Sequence, residues 1–240
     1  MERDLYGWLK IWKNEKNRKP LIIRGARQVG KTWLVNHFGR SDFDRLIDIN
    51  FEFQPQMKSC FASLNPMEII QRIELSLNVD IIPGQTLLFL DEIQEYPEAV
   101  KALRYFYEKM PALHVVAAGS LLEFIMEAQA ISFPVGRVQN IHLFPMSFGE
   151  FLSACGEHKL RQWFQDLSIT EHIPESIHVK SVSLLRDYLY LGGMPETIHT
   201  CLKICWQCTK GLSPNNLSAS SFLHWANVLL NRNFITGRER

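Results

Sequence analysis

The sequence contains no apolar run long enough to cross a membrane. Its longest apolar stretches, residues 86–90 and 113–118, are far below the roughly 20 residues that a membrane-spanning helix needs. No apolar segment with a cleavage site follows the polar start Met-Glu-Arg-Asp-Leu-Tyr, and the five cysteines are an odd number. These absences argue against a secreted disulfide scaffold. We therefore expect a soluble, cytoplasmic protein without membrane contact.

A strong excess of charge of one sign is also absent, because 26 Lys and Arg nearly balance 25 Asp and Glu and leave a net charge of +1. This balance does not support a strongly basic nucleic-acid binder. Along the chain the charge is uneven: residues 1–196 hold 21 basic and 24 acidic side chains, whereas residues 197–238 hold no carboxylate. We expect residues 197–240 to be an atypical tail, either disordered or the product of a frameshift or truncation.

The sequence does have enough apolar residues, 46% of 240, for a substantial core. Short apolar runs alternate with segments of helical periodicity. Strands are predicted at residues 21–23, 46–53, 86–90, 113–118 and 138–144, and helices at residues 5–15, 31–38, 67–77, 97–110 and 121–129. This order predicts an α/β fold with a five-stranded parallel sheet and helices on both faces. We expect this core at residues 1–145 and a small, mostly helical segment at residues 146–196.

The strongest motif is a complete Walker A phosphate-binding loop between the first predicted strand and the next helix. It reads Gly25-Ala26-Arg27-Gln28-Val29-Gly30-Lys31-Thr32. The two glycines permit backbone angles that turn successive N–H groups toward phosphate oxygens. The ammonium of Lys31 can reach the β and γ phosphates, and the hydroxyl of Thr32 can ligate Mg²⁺. Because a strand precedes the motif and a helix follows it, we prefer this interpretation to a chance match.

The third apolar run ends in two carboxylates, Asp91 and Glu92, as a Walker B element does. Ligands of open α/β sheets bind at the carboxyl ends of the strands, so we expect both side chains near the phosphate loop. Asp91 would hold Mg²⁺, and Glu92 would orient or deprotonate an attacking water. The alternative is that Asp91 caps a helix.

Three further polar residues each have more than one interpretation. Gln94 either contacts the γ-phosphate or faces solvent. Ser120, at the end of the fourth predicted strand, senses the γ-phosphate, caps a helix, or does both. Arg137 precedes the fifth predicted strand, where it reaches a phosphate of its own subunit or of a neighbour, or is simply solvated.

Six short motifs occur in order at residues 22–32, 88–94, 118–120, 136–137, 143–151 and 190–196. Together they resemble a family of bacterial and archaeal AAA-type ATP-binding proteins that carry a C-terminal domain of unknown function. The resemblance covers about residues 5–200. It implies an ATPase core of the AAA (ASCE) type with a helical, winged-helix-like segment behind it. Family members are longer than this chain, and nothing after about residue 197 matches them.

Three cysteines near the end of the chain, Cys201, Cys205 and Cys208, have a C-x₃-C-x₂-C spacing. This spacing is that of the triad that binds an iron–sulfur cluster in radical S-adenosylmethionine enzymes. With His199 or His224 the same cysteines could instead complete a zinc site. Only 32 residues follow Cys208, too few for the barrel that such radical enzymes need, so we prefer the interpretation of a tail without a metal.

These residues predict an ATP-binding protein and Mg²⁺-dependent ATPase of AAA type. Lys31, Thr32 and Asp91 would hold the phosphates and the metal, and Glu92 would act on water. The alternative is an ATP-gated regulatory module that binds DNA or protein with little or no hydrolysis. A small-molecule kinase is disfavoured because Glu92 directly follows Asp91. The sequence leaves open whether the partner is a second copy of the chain, another protein or a nucleic acid.

Overall fold

The computed structural model of this protein describes residues 2–120, 136–168 and 170–208. The chain divides into two compact units, one of residues 4–144 and the other of residues from 145 onward together with the first three. The predicted helix at residues 121–129 lies outside the described residues, as do residues 209–240 of the predicted tail.

The first unit is an α/β domain. Its described α-helices are α1 (Asp4–Lys13), α2 (Lys31–Asp42), α3 (Pro66–Leu77) and α4 (Glu98–Lys109). Its strands are β1 (Leu21–Arg24), β2 (Arg45–Asn50), β3 (Thr86–Asp91), β4 (His114–Gly119) and β5 (Gln139–His142). Two 3₁₀ turns, Pro55–Phe61 and Ile93–Glu95, complete the described regular structure.

All five strands run parallel in one sheet with the order β2-β3-β4-β1-β5. The prediction of a five-stranded parallel sheet with helices is therefore confirmed. β4 lies between β1 and β3, so one strand separates the strand before the phosphate loop from the strand that ends in Asp91. Because parallel strands end at the same edge, this order brings the loop and the carboxylates to one side of the sheet.

Burial along the strands explains their sequence patterns. All six residues of β3 and all six of β4 are buried, as expected for central strands that are covered on both faces. The outer strands β2 and β5 alternate between more buried and more exposed residues. Successive side chains of a strand point to opposite faces of the sheet, and in these strands only one face is well covered.

The strand predicted at residues 46–53 ends earlier, at Asn50. The side-chain oxygen of Asn50 accepts hydrogen bonds from the backbone N–H groups of Glu52 and Phe53, both at 3.0 Å. This local turn competes with continued strand pairing. Phe51 is fully buried whereas Phe53 is 79% exposed, so their apparent alternation belongs to a turn rather than to a strand.

The second unit is helical in its described part. Its helices are α5 (Phe148–Ala154), α6 (His158–Asp166), α7 (Glu175–Leu191) and α8 (Pro195–Cys208). Its apolar cluster is centred on three buried residues, Met146, Phe151 and Ile198. No residue of α6 is buried, and the one buried residue of α7 is Asp187. The winged-helix-like character of this segment stays a prediction.

α5 begins with a reciprocal cap. The hydroxyl of Ser147 accepts a hydrogen bond from the backbone N–H of Glu150 at 3.1 Å, and the Glu150 carboxylate accepts one from the Ser147 N–H at 2.9 Å. The same carboxylate forms a buried 2.9 Å ion pair with Arg3. Across the described residues, none of the helices combines the length and the apolar character that a membrane span requires.

Candidate nucleotide-binding site

The phosphate loop connects the end of β1 directly to the start of α2. Gly25 and Gly30 have φ angles of +149° and +91°, which side chains rarely tolerate. A Cβ atom at Gly25 would also collide with the carbonyl oxygen of Leu143, whose N–H donates to the Arg24 carbonyl at 2.8 Å. Both glycines of the motif are therefore required by the path of the backbone.

Gln28, in the middle of the loop, also has a positive φ, of 65°. A residue with a side chain pays roughly 1 kcal/mol or more for this left-handed conformation. The Walker A pattern leaves this position free, so the sequence carried no signal of the strain. Strain of this kind concentrates in loops that clamp ligands.

Lys31 is the first residue of α2, and its side chain turns back over the loop. It is 7% exposed, and its ammonium donates to the carbonyl oxygens of Gly25 at 2.9 Å and Ala26 at 2.8 Å. Burial lowers the pKa of Lys31, while the nearby carboxylates of Glu92 and Asp91 raise it. The ammonium thus lies at the loop, where lysines of this motif contact β and γ phosphates.

The hydroxyl of Thr32 contacts the carboxylate of Asp91 at the carboxyl end of β3. Thr32 Oγ1 donates to Asp91 Oδ2 at 2.9 Å, although 59 residues separate the two in sequence. The backbone N–H of Glu92 donates to the other carboxylate oxygen at 3.0 Å. Asp91 does not cap an α-helix, since the next one begins at Glu98. Hydroxyl and carboxylate oxygens are the donor types that Mg²⁺ takes from proteins.

Asn50 is a third partner of Asp91, and the sequence did not identify it. It ends β2 opposite Asp91 in the strand register, and its amide donates to Asp91 Oδ2 at 3.2 Å. A polar residue at the end of a strand that neighbours β3 was the one available signal. Using it requires knowing that β2 and β3 are adjacent, which follows from the tertiary structure.

Asp91 is 2% exposed. Burial raises its pKa to about 6, the Thr32 hydrogen bond opposes the shift, and the negative charges of Glu92 and Asp48 add to it. A carboxylate that is buried, hydrogen-bonded and surrounded by negative charge is well suited to bind a cation.

Glu92 follows Asp91 with a left-handed backbone, φ 49°, and its side chain is half-buried. The side-chain amide of Gln94 donates to Glu92 Oε2. Gln94 is 8% exposed, so the interpretation that it faces solvent is wrong. It is a buried partner of the neighbouring carboxylate.

Ser120 directly follows β4 and is 6% exposed. Gly119 pairs with Arg24 in the register of β4 and β1, so Ser120 lies at the edge where the phosphate loop begins. The alternative role as a helix cap concerns residues 121–135, which lie outside the described residues.

Arg137 lies at the side of the sheet where the strands begin, opposite the carboxyl ends that carry the phosphate loop. The first residue of β5, Gln139, pairs with Leu21 at the start of β1, whereas the phosphate loop follows the other end of β1. Arg137 forms a 3.1 Å ion pair with Glu108 of α4. The structure therefore does not bring Arg137 to the phosphate loop of its own chain, and a role toward a neighbouring subunit stays a prediction.

The cysteine cluster falls on α8. Cys201 is buried, and the side chains of Cys205 and Cys208 lie outside the described residues. Within the part of the chain that the structure describes, no group of three His, Cys, Asp or Glu residues is placed to hold a metal ion. Metal binding by the three cysteines thus stays untested.

A glycine loop between β1 and α2, a lysine over that loop and a Thr–Asp pair at the sheet edge define a P-loop nucleotide-binding fold. A family model described as an AAA domain matches residues 17–152, more than half of the chain. The chain belongs to this AAA domain family, which confirms the expected resemblance to AAA-type ATPases.

Two solved structures show the same fold at low sequence identity. The Aeropyrum pernix ORC2 protein has a TM-score of 0.53 at 13% identity, covering 98% of this chain and 69% of that one. Drosophila ORC bound to DNA has a TM-score of 0.50 at 14% identity, covering 98% and 68%. A weaker likeness, to C. elegans PCH-2, has a TM-score of 0.48 at 12% identity and covers 94% and 66%. This chain spans about two thirds of their length. No curated protein matches it.

Proposed function

We propose that this chain binds ATP together with Mg²⁺ and hydrolyses it to ADP and phosphate. The observation that carries the proposal is the 2.9 Å contact between Thr32 Oγ1 and Asp91 Oδ2. It joins the end of the phosphate loop to the end of β3, where Glu92 follows. The AAA family as a class binds ATP with Mg²⁺, and the solved Aeropyrum pernix ORC2 structure is of ADPNP–ADP complexes, which supports an adenine nucleotide.

The residues at this edge fit the proposed ligand. The backbone N–H groups of residues 25–30 and the start of α2 favour phosphate oxygens. The Lys31 ammonium can replace its hydrogen bonds to carbonyl oxygens with hydrogen bonds to phosphate oxygens. The oxygens of Thr32 and Asp91 fit Mg²⁺. When bound, Mg²⁺ neutralises charge on the β and γ phosphates.

Glu92 is the proposed general base. One of its carboxylate oxygens is engaged by Gln94, and the other can accept a proton from water as the water attacks the γ-phosphorus. Asn50 holds Asp91 from the side of β2. Ser120, at the end of the strand between β1 and β3, is the proposed γ-phosphate sensor.

Arg137 enters this proposal only through a neighbouring subunit. It is about half exposed and lies at the edge of the sheet away from its own phosphate loop. If it stabilises transferred phosphate charge, it does so in a homo-oligomer. Arg137→Ala should then lower turnover while each chain still binds nucleotide, and light scattering should detect an oligomer with Mg·ATP.

The test compares Glu92→Gln with the control Glu95→Gln, which alters an exposed carboxylate on the adjacent 3₁₀ turn. Turnover should fall roughly 100-fold or more in Glu92→Gln and stay unchanged in the control, while both variants bind ATP like the wild type. Equal turnover of all three proteins would refute the role of Glu92. ATP binding without turnover in the wild type would support the ATP-gated regulatory module instead.

A further inference from the structure

Gln94 is placed between two elements of the candidate site. It lies in the 3₁₀ turn directly after β3, and its side chain is buried. Its amide group donates to Glu92 Oε2. Because a carboxylate only accepts hydrogen bonds, the NH₂ end of the amide must face Glu92.

The other end of this amide rests against β4. A Cβ atom at Gly119 would lie 2.6 Å from Gln94 Oε1 and 3.4 Å from the side chain of Ile93. Real side chains do not approach this closely, so the missing side chain of Gly119 makes the space that the Gln94 amide occupies. Gln94 Oε1 is buried and accepts no hydrogen bond from the described residues.

This arrangement leaves Gln94 little freedom. Gly119 of β4 lies against the oxygen end of the amide, and Glu92 accepts a hydrogen bond from its nitrogen end. Glu92 itself is only half-buried, and its carboxylate would otherwise sample several rotamers. A donor on Oε2 restrains the carboxylate and leaves the other oxygen, Oε1, to accept a proton.

We propose that Gln94 is a positioning residue that holds the Glu92 carboxylate in its productive orientation, with Gly119 providing the space for it. The inference rests on the proposed hydrolysis of ATP by this site. Gln94 acts through Glu92 and does not touch the nucleotide.

The first test is Gln94→Met, which keeps the length and volume of the side chain but cannot donate. It should lower kcat about 10-fold and leave both KM and the ATP dissociation constant unchanged. Thermal unfolding of each variant checks the fold. An unchanged kcat, with Glu92→Gln inactive, would overturn the inference and leave the proposed function standing. A weakened affinity for ATP with unchanged kcat would also overturn it, because Gln94 would then contact the nucleotide.

The second test uses Gly119→Ala alone and combined with Gln94→Ala. In the wild-type background the new methyl group should displace the amide and lower kcat by about the same factor as Gln94→Met. With Gln94→Ala present, the clash with the amide is gone and the side chain of Ile93 at 3.4 Å is an ordinary contact, so the same methyl group should add less than a roughly 2-fold loss, a strongly non-additive pair. Additive losses would overturn the inference. A wild type without turnover would instead reject the proposed function, which makes the two failures distinguishable.

Discussion

The two units of this chain differ in how much apolar side chain they bury. In residues 4–144, β3 and β4 are buried along their whole length and a broad apolar cluster packs against the sheet. In the described part of the second unit the apolar cluster is centred on only three buried residues. The long helix α7 has a single buried residue, Asp187. We infer that the first unit carries most of the stability of the described chain.

Two buried aspartates show the same difference at the level of single residues. Asp91 in the first unit and Asp187 in the second are 2% and 3% exposed, and burial raises the pKa of each to about 6. Asp91 accepts hydrogen bonds from Thr32, Asn50 and the Glu92 N–H. Neither oxygen of Asp187 accepts any from the described residues. The two aspartates therefore share their burial and the direction of their pKa shift, and Asp91 differs in its hydrogen-bond donors, which come from α2, from the end of β2 and from the backbone after β3.

The largest expected effect comes from removing a core ring. Phe89→Ala, in the centre of β3, should lower the free energy of unfolding by about 3–5 kcal/mol. Phe148→Ala, at a partly buried position of the second unit, should cost less than half as much, because its surroundings are less completely packed. Urea denaturation followed by circular dichroism measures both. Equal losses would show that the two units are packed alike.

The next effect is stabilisation by nucleotide. If the proposed site is correct, Mg·ATP at 100 times its dissociation constant should stabilise the protein by about 2.7 kcal/mol. Lys31→Ala should abolish the effect, and Lys16→Ala, at an exposed position, should not. Thermal unfolding measures the shift, and hydrogen exchange should show the added protection in β1, β3 and α2. Equal added protection in α7 would contradict the separation of the two units.

Substitutions at residues with a positive φ angle should have smaller effects on stability. Gly192 follows α7 with φ 73° and ψ 179°, a region open almost only to glycine, so Gly192→Ala should cost about 1–3 kcal/mol. Gln28→Gly relieves about 1 kcal/mol of strain but frees the unfolded chain by a similar amount, so its net effect should be close to zero.

Gly7→Ala is the control for these backbone changes, since a Cβ there meets nothing within 4 Å. Gly7 lies within α1, and the change should stabilise that helix by about 0.5–1 kcal/mol. Denaturation midpoints compare the three variants. A clear loss of stability in Gln28→Gly would mean that its side chain contributes contacts that outweigh its strain.

The last comparison concerns the charge of Asp187. Its raised pKa means that the folded state binds a proton more tightly than the unfolded state, so the free energy of unfolding falls as pH rises from about 4 to about 6. Asp187→Asn removes this charge and should stabilise the protein at pH 8, with the gain shrinking toward zero near pH 4. Denaturation of both proteins at each pH measures the difference. A gain independent of pH would contradict the titration of Asp187.

Much of the candidate site was predictable because its signals are local. The glycines, Lys31 and Thr32 occupy consecutive positions of one loop, and Asp91 and Glu92 end an apolar run whose burial requires a central strand. Asn50 was missed because its contact with Asp91 depends on the pairing of two strands that are 41 residues apart at this point. For Arg137 the sequence indicated an arginine next to a strand but not at which edge of the sheet it lies.

The sequence by itself determined where the phosphate loop lies, which segments form the sheet and that two consecutive carboxylates occur at the end of β3. These features depend on periodicity, glycine and neighbouring residues, all of which can be read within a few positions. Only the tertiary structure decided the strand order, the contact of Gln94 with Glu92 against Gly119, the partners of Asp91 and the place of Arg137. Each of these depends on which strand ends become neighbours, and packing of the whole sheet decides that.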